Sequence, residues 1–127
     1  MVRPQQRKWF WQPDSGTKVH VVPDIFIEHP NGQTFVIDTK WKNLDNAKPS
    51  MEDLRQLFVY HDYFTAQKVS ILYPGENSQL RKGRYLAPDQ GLDWNKTCAL
   101  MPMPVDANIQ VWQMNLAQTT LAWMEGE

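Results

Sequence analysis

Residues 24–40 read DIFIEHPNGQTFVIDTK, and this stretch decides the fold. Two apolar runs flank the turn residues 29–32, and an Asn-Gly pair between such runs favours a tight hairpin. We therefore predict a strand over residues 24–28 and an antiparallel partner strand over residues 34–41. The second run is so apolar that we expect it to be buried in a sheet.

Two carboxylates and a lysine lie at the ends of these predicted strands. Asp38 and Lys40 are two residues apart and share a face of their strand, while the hairpin brings Asp24 beside them. Buried charges are unfavourable unless they are paired or bind something. Asp24 and Asp38 are therefore candidate metal ligands, with the Thr39 carbonyl as a third oxygen. The alternative is a turn aspartate beside an exposed ion pair, which is favoured for a D-x-K motif taken alone.

The donor atoms predict which ion would bind. Hard divalent cations take oxygen ligands, and Mg²⁺ is commonly held by one or two carboxylates with water and phosphate; Mn²⁺ is the alternative ion. Such an ion polarises a phosphate and lowers the pKa of a bound water. Lys40 would orient that water, act as its base or neutralise charge in the transition state.

The clearest helix begins after Ser50, an N-cap residue followed by two acids in the first turn. Its apolar residues follow helical spacing and predict a buried stripe. Gln56 and Tyr60 are four residues apart and share a face, although a solvated amide and a half-buried ring are the favoured interpretation of this pair taken alone. Residues 68–73 predict a buried parallel strand reached through this helix. A hairpin, a helix and a further strand make an α/β fold, with a mixed sheet flanked by helices.

The rest of the chain gives weaker predictions. Residues 79–86 alternate as an edge strand would, and residues 87–104 are rich in turn formers. Residues 109–112 predict a last strand and residues 116–124 a last helix. Residues 7–11 combine cations with aromatics, as nucleic-acid grooves do, but the favoured interpretation is a strand that packs its rings on the core.

Composition limits the class of protein. The chain has 127 residues, is 42% hydrophobic and has a net charge of -1, so we predict one domain over residues 1–127 that would need a local patch to bind a polyanion. The single Cys98 excludes an internal disulfide and a cysteine-based zinc site. With no signal peptide and no long apolar run, we expect no membrane contact and a cytoplasmic location.

Several motifs together resemble a known group of nucleases. Pro23-Asp24 followed by Asp38-Thr39-Lys40 is similar to the PD-(D/E)xK superfamily. The segments 37–42 (IDTKWK), 53–60 (DLRQLFVY) and 71–74 (ILYP) are similar, in that order, to McrC, the nuclease subunit of the McrBC modified-cytosine restriction system. The resemblance covers about the first two thirds of the chain, and the order of the motifs makes it moderately specific.

The resemblance implies a restriction-endonuclease-like core and a metal-dependent DNA endonuclease that hydrolyses phosphodiester bonds. It implies three partners: DNA, a McrB-like GTPase and a second copy of the chain for double-strand cleavage. It assigns metal binding to Asp24, Asp38 and Thr39, and catalysis to Asp24, Asp38, Lys40, Gln56 and Tyr60.

Two features of the family are not visible in the sequence. The superfamily core usually begins with a helix, which we do not find before Lys18, and McrC has an N-terminal region that engages McrB. The alternatives are an excised domain, a truncated relative and a stand-alone variant. Two other functions also remain open: a non-catalytic nucleic-acid-binding or assembly module with a nuclease fold, and another PD-(D/E)xK enzyme such as a repair nuclease.

Overall fold

A computed structural model of the chain describes residues 2–3, 5–42, 44, 48–76, 79–91, 95–104 and 108–126. In chain order, the helices and strands of these residues are β1 (Val2–Arg3), β2 (Lys8–Trp11), β3 (Val19–Val21), β4 (Ile25–Glu28), β5 (Thr34–Thr39), α1 (Met51–Tyr63), β6 (Lys68–Pro74), β7 (Arg81–Arg84), β8 (Thr97–Met103) and α2 (Ile109–Glu125).

The described strands form a six-stranded mixed sheet in the order β1-β4-β5-β6-β8-β7, and β2 and β3 pair separately. Strand β6 lies parallel to β5 and to β8, while the other neighbours in the large sheet are antiparallel. Helix α1 makes the crossover between the parallel strands β5 and β6, as parallel pairing requires. The predicted α/β fold with a mixed sheet flanked by helices is confirmed.

The β4–β5 hairpin forms as the turn residues predict. Ile25 pairs with Ile37 and Glu28 with Thr34, so residues 29–33 make the connection. The amide of Gly32 donates to the His29 carbonyl at 2.8 Å, and Gly32 has a φ of +88°, a conformation that glycine adopts without strain.

The two faces of the sheet carry separate apolar clusters, and β5 contributes to both. Val36 packs in the cluster on the α1 face with Leu57 and Tyr60. Phe35 and Ile37 pack in the cluster on the opposite face, with Trp123 of α2. Since alternate residues of a strand share a face, Asp38 follows Val36 onto the face that α1 covers.

Helix α2 corrects one prediction. Residues 109–112 are the first turn of this helix and not a strand, because Asn108 caps it by accepting the amides of Gln110 and Val111. The helix is anchored by Trp123, which is buried with its ring 5.8 Å from that of Phe35. Among the described residues, no helix is long and apolar enough to span a membrane.

Strand β8 was not expected, because it lies in the segment that is rich in turn formers. Pro102 lies in this segment, but it comes near the end of the strand, where a missing amide donor removes little pairing. Residues 92–94 of that turn-rich segment lie outside the described residues. Within the range 79–86 that was predicted as a strand, residues 81–84 form an edge strand.

The β2–β3 ribbon corrects a second prediction. The rings of Trp9, Phe10 and Trp11 are 57%, 47% and 60% exposed, so the interpretation that they pack on the core is wrong. The ribbon is a separate two-stranded sheet. Aromatic residues in a strand do not by themselves predict whether a second layer of the protein covers that strand.

Candidate active site

The end of β5 places an acid and a lysine beneath α1. The carboxylate of Asp38 is buried at 3% exposure, and the Lys40 Nζ lies 2.8 Å from its Oδ2. The backbone of Lys40 is held as well, because its amide donates to the Leu72 carbonyl of β6 at 2.9 Å. The side chains of Asp38 and Lys40 therefore lie on the same face of the sheet, as the sequence predicts.

Asp24 is fixed to the same strand end by two hydrogen bonds. It follows the buried Pro23, and its Oδ2 accepts the Thr39 amide at 2.9 Å and the Thr39 hydroxyl at 2.8 Å. Both bonds go to one oxygen, so the other carboxylate oxygen is not engaged by Thr39. The hairpin thus brings Asp24 to Asp38 and Thr39, as its geometry predicts.

The two carboxyl groups interact directly, and their pKa values move apart. Burial and the negative charge of Asp24 raise the pKa of Asp38, against the opposing effect of Lys40. Burial also acts to raise the pKa of Asp24, but the hydrogen bonds from Thr39 and Asp38 outweigh it and lower that pKa. Like charges in contact at a partly buried site produce this pattern.

Gln56 and Tyr60 connect the lysine to the segment before Asp24. Lys40 Nζ donates to Gln56 Oε1 at 2.7 Å, Gln56 Nε2 donates to the Tyr60 hydroxyl at 3.0 Å, and that hydroxyl donates to the Val22 carbonyl at 3.0 Å. Burial and the nearby charge of Asp38 raise the pKa of Tyr60 to about 12, so its hydroxyl keeps its proton at neutral pH. Gln56 is partly buried and Tyr60 is buried. Both side chains are links in a chain of hydrogen bonds, which differs from the solvated amide and half-buried ring of the simpler alternative.

Asp53 belongs to this cluster, although the sequence predicted only a helix-start role for it. It is 7% exposed; its Oδ1 lies 3.5 Å from Lys40 Nζ and its Oδ2 lies 2.7 Å from Lys42 Nζ. Burial acts to raise its pKa, but the bonds from Lys42 and Ser50 and the charge of Lys40 lower it. The available signal was its position at the start of the D-x-x-Q-x-x-x-Y segment.

The acids also affect the charge state of the lysine. Burial acts to lower the pKa of Lys40, but Asp38 and then Asp53 outweigh burial and raise it. Lys40 is therefore an ammonium ion at neutral pH, held between two carboxylates and an amide oxygen.

The donor set suits a hard divalent cation. Asp24 and Asp38 present oxygens at one point, and a cation between them would relieve the repulsion that raises the Asp38 pKa. No group of three or more His, Cys, Asp or Glu ligands occurs among the described residues, so water and backbone oxygen would complete the shell, as is usual for Mg²⁺. Beside this point, at the ends of β5 and β6, Thr39, Lys40 and Trp41 line a cavity of about 40 Å³.

Comparison with known proteins gives a family match and a fold match. The family described as McrBC 5-methylcytosine restriction system component matches residues 1–74, which include every predicted site residue. Among solved structures, the chain is similar to a chain in the refined half-complex from the tetradecameric assembly of Thermococcus gammatolerans McrB AAA+ hexamers with bound McrC. The identity is 22% and the TM-score 0.56, and the match covers 94% of this chain and 28% of that one.

A second solved structure, the crystal structure of SSO0001, has 17% identity and a TM-score of 0.47, and the match covers 94% of this chain and 50% of that one. No curated protein sequence matches this chain. The chain thus spans well under two thirds of the length of either solved chain.

Proposed function

This chain belongs to the family of McrBC 5-methylcytosine restriction system components, and from that premise we propose that it is a McrC-like nuclease domain of the PD-(D/E)xK type. Its reaction would be the hydrolysis of a phosphodiester bond in DNA with a divalent metal ion.

One observation carries the proposal: charged and polar groups at the ends of two strands and on one helix converge at a single point. The carboxyl groups of Asp38 and Asp24 interact with each other, Lys40 Nζ is 2.8 Å from Asp38, and Gln56 Oε1 lies 2.7 Å from the same ammonium. Asp38 is buried while Asp24 beside it is exposed. Placing a second acid against a buried carboxylate opposes folding, so a structural role explains the arrangement poorly. A site that must bind a cation and a phosphate explains it well.

Asp24 and Asp38 would hold Mg²⁺ or Mn²⁺, with Thr39 contributing its carbonyl. When bound, such an ion supplies Lewis-acid polarisation of the phosphate and a water of lowered pKa. The residues of this chain provide the rest: Thr39 orients Asp24 through two hydrogen bonds, and Gln56 and Tyr60 hold the lysine in place.

The surroundings of Lys40 narrow its role. Since its pKa is raised by Asp38 and Asp53, a general-base role is disfavoured at neutral pH, and charge neutralisation or orientation of water is favoured. Lys40 also keeps Gln56 and Asp53 as partners if the oxygens of Asp38 serve a cation. The Lys40 ammonium would then keep its position near the scissile phosphate of the substrate when the Asp38 carboxylate binds the cation.

The proposal includes partners. The similar solved chain comes from an assembly of McrB AAA+ hexamers with bound McrC, and we extend to this chain a McrB-like GTPase partner. DNA is the proposed substrate, and pairing of two copies would allow both strands to be cut.

Plasmid cleavage with Mg²⁺, with and without a candidate GTPase partner, tests the proposal. We expect Asp38→Ala and Lys40→Ala each to abolish cleavage while far-UV circular dichroism stays unchanged. Asp62→Ala is the matched control, because Asp62 is an exposed acid of α1 whose partner is Lys96 on the protein surface. The assignment is wrong if Asp38→Ala and Lys40→Ala both cut at the parent rate.

A magnesium titration separates the catalytic proposal from a non-catalytic module. We expect calorimetry to detect Mg²⁺ binding by the parent chain and to lose it in Asp24→Ala and Asp38→Ala. A folded parent chain that binds DNA, but neither binds Mg²⁺ nor cleaves, would be an assembly or binding module with a nuclease fold.

A further inference from the structure

The β2–β3 ribbon exposes aromatic rings at the protein surface, although the ring of Phe10 also packs against Tyr63 of α1. Trp9, Phe10 and Trp11 are about half exposed or more, and Val19 on the facing strand is 49% exposed. The register shifts between Trp9 and Trp11, so Trp9 pairs with His20 and Trp11 with Val19. Large exposed apolar groups on a small ribbon are typical of interaction surfaces.

The ribbon that carries these rings also carries exposed cations. Residues 7–21 contain Arg7, Lys8 and Lys18 against one acid, Asp14, although the whole chain has a net charge of -1. The Lys18 Nζ lies 5.2 Å from the centre of the Trp9 ring, and all three cations are exposed. The ribbon is thus a local positive patch on a nearly neutral chain.

The ribbon is also tied to the candidate active site. The ring of Phe10 packs 5.4 Å from the ring of Tyr63 on α1, one turn beyond Tyr60. Strand β3 ends at Val21, and three residues later the chain reaches Asp24, a span of at most about 10 Å. A ligand on the ribbon would therefore lie beside the proposed metal-binding acids.

We propose that the β2–β3 ribbon binds a DNA strand beside the cleavage site, with phosphates at Lys8 and Lys18 and a base against an exposed tryptophan ring. The register places Trp9 and Trp11 on opposite faces of the ribbon, so a bound strand stacks one base on the tryptophan of the face that it occupies. This inference rests on the proposed nuclease function and adds the surface that holds the substrate. Rings for bases and cations for phosphates are the combination that single strands require, whereas an apolar protein partner would not need three cations among the rings. The positive charge of the ribbon therefore favours a polyanion over an apolar protein as its ligand.

The test measures binding and not cleavage, so it does not depend on the catalytic proposal. Fluorescence anisotropy would follow a labelled 20-nucleotide single strand, and a duplex of the same sequence, with the full chain in EDTA. We expect the double variant Trp9→Ala/Trp11→Ala to bind the single strand about five- to a hundredfold more weakly, the effect of losing one stacked base. Met114→Ala/Leu121→Ala is the control, because it removes exposed apolar groups from α2 and should leave the dissociation constant unchanged.

Salt dependence distinguishes the cations from the rings. Each phosphate contact contributes about 0.7 to the slope of log K against log salt for a single strand, so Lys8→Ala/Lys18→Ala should reduce that slope by about 1.4. The tryptophan variant should keep the parent slope while losing affinity. A larger loss on the single strand than on the duplex indicates stacking on unpaired bases, and an equal loss indicates insertion into a groove; both support DNA binding.

Two results would overturn the proposal: a parent chain with no measurable affinity for either probe, or tryptophan and lysine variants that both bind like the parent. In the second case the ribbon would be free for a protein partner. Loss of cleavage in Asp38→Ala with DNA affinity retained would leave the ribbon proposal intact, so the two proposals fail separately.

Discussion

Replacing Tyr60 with Phe removes a single hydroxyl that joins helix α1 to the segment before Asp24. That hydroxyl donates to the Val22 carbonyl and accepts from Gln56 Nε2, with both distances 3.0 Å. The ring stays in place, since Phe preserves the edge-to-face packing on Phe64. The substitution therefore isolates the hydrogen bonds from the apolar packing.

The magnitude follows from the burial of the site. Tyr60 is 3% exposed, so water does not easily replace the lost partner. Each hydrogen bond contributes about 0.5–1.5 kcal/mol net, and we expect the free energy of unfolding to fall by about 2 kcal/mol. With a urea m-value of about 2 kcal/mol/M for a small domain, the unfolding midpoint would fall by about 1 M.

Urea unfolding of the metal-free chain, followed by circular dichroism at pH 7, measures this change. Tyr63→Phe is the matched control: it lies on the same helix, is 37% exposed and should shift the midpoint by less than about 0.2 M. Equal midpoints for Tyr60→Phe and the parent would refute the hydrogen-bonded connection between α1 and Val22. A midpoint shift of the same size in Tyr63→Phe would show that the effect belongs to any tyrosine of the helix.

Two further predictions concern charge. Asp53→Asn should lower the free energy of unfolding at pH 7 by about 1–2 kcal/mol, because it leaves Lys40 and Lys42 without their shared acid. The folded state holds the Asp53 pKa below 3.8. The stability that Asp53 gives the parent is therefore lost as pH falls through that folded-state pKa. Urea titrations at pH 7 and pH 3 measure both effects, and equal stability at pH 7 would contradict the pairing. Burial, then the charge of Lys96, lowers the pKa of His61 below 6.5, so the parent should lose stability as pH falls from 7.5 through 6.5 toward that folded-state pKa. His61→Gln should flatten this dependence in thermal melts, and an unchanged slope would exclude His61 as its source.

The part of the site that sequence could predict depends on local geometry. A period of two puts Asp38 and Lys40 on one face, and a turn of five residues brings Asp24 to that face. The N-cap at Ser50, whose hydroxyl accepts the Asp53 amide at 3.0 Å, likewise predicted where α1 begins. Each of these relations joins residues that are close in the chain.

The features that sequence did not predict depend on how elements face one another. The contact of Asp53 with Lys40 requires the rotation of α1 against β5, which no spacing in the sequence specifies. The exposure of Trp9 and Trp11 depends on whether a second layer covers the ribbon, and the same alternation would suit a buried strand. Strand β8 forms because its partners β6 and β7 are present, although Pro102 within it disfavours a strand.

The structure gives a physical reason for the D-x-x-Q-x-x-x-Y spacing of α1. Asp53, Gln56 and Tyr60 stand at i, i+3 and i+7, and so lie along one face over two turns, about 10 Å. From that face Asp53 and Gln56 hold Lys40 at the end of β5, while Tyr60 holds the Val22 carbonyl that precedes Asp24. One helix face thus positions both the lysine and the segment that carries the first acid. Because the Ser50 cap sets where the helix begins, it also sets the register in which these three side chains reach the two strands.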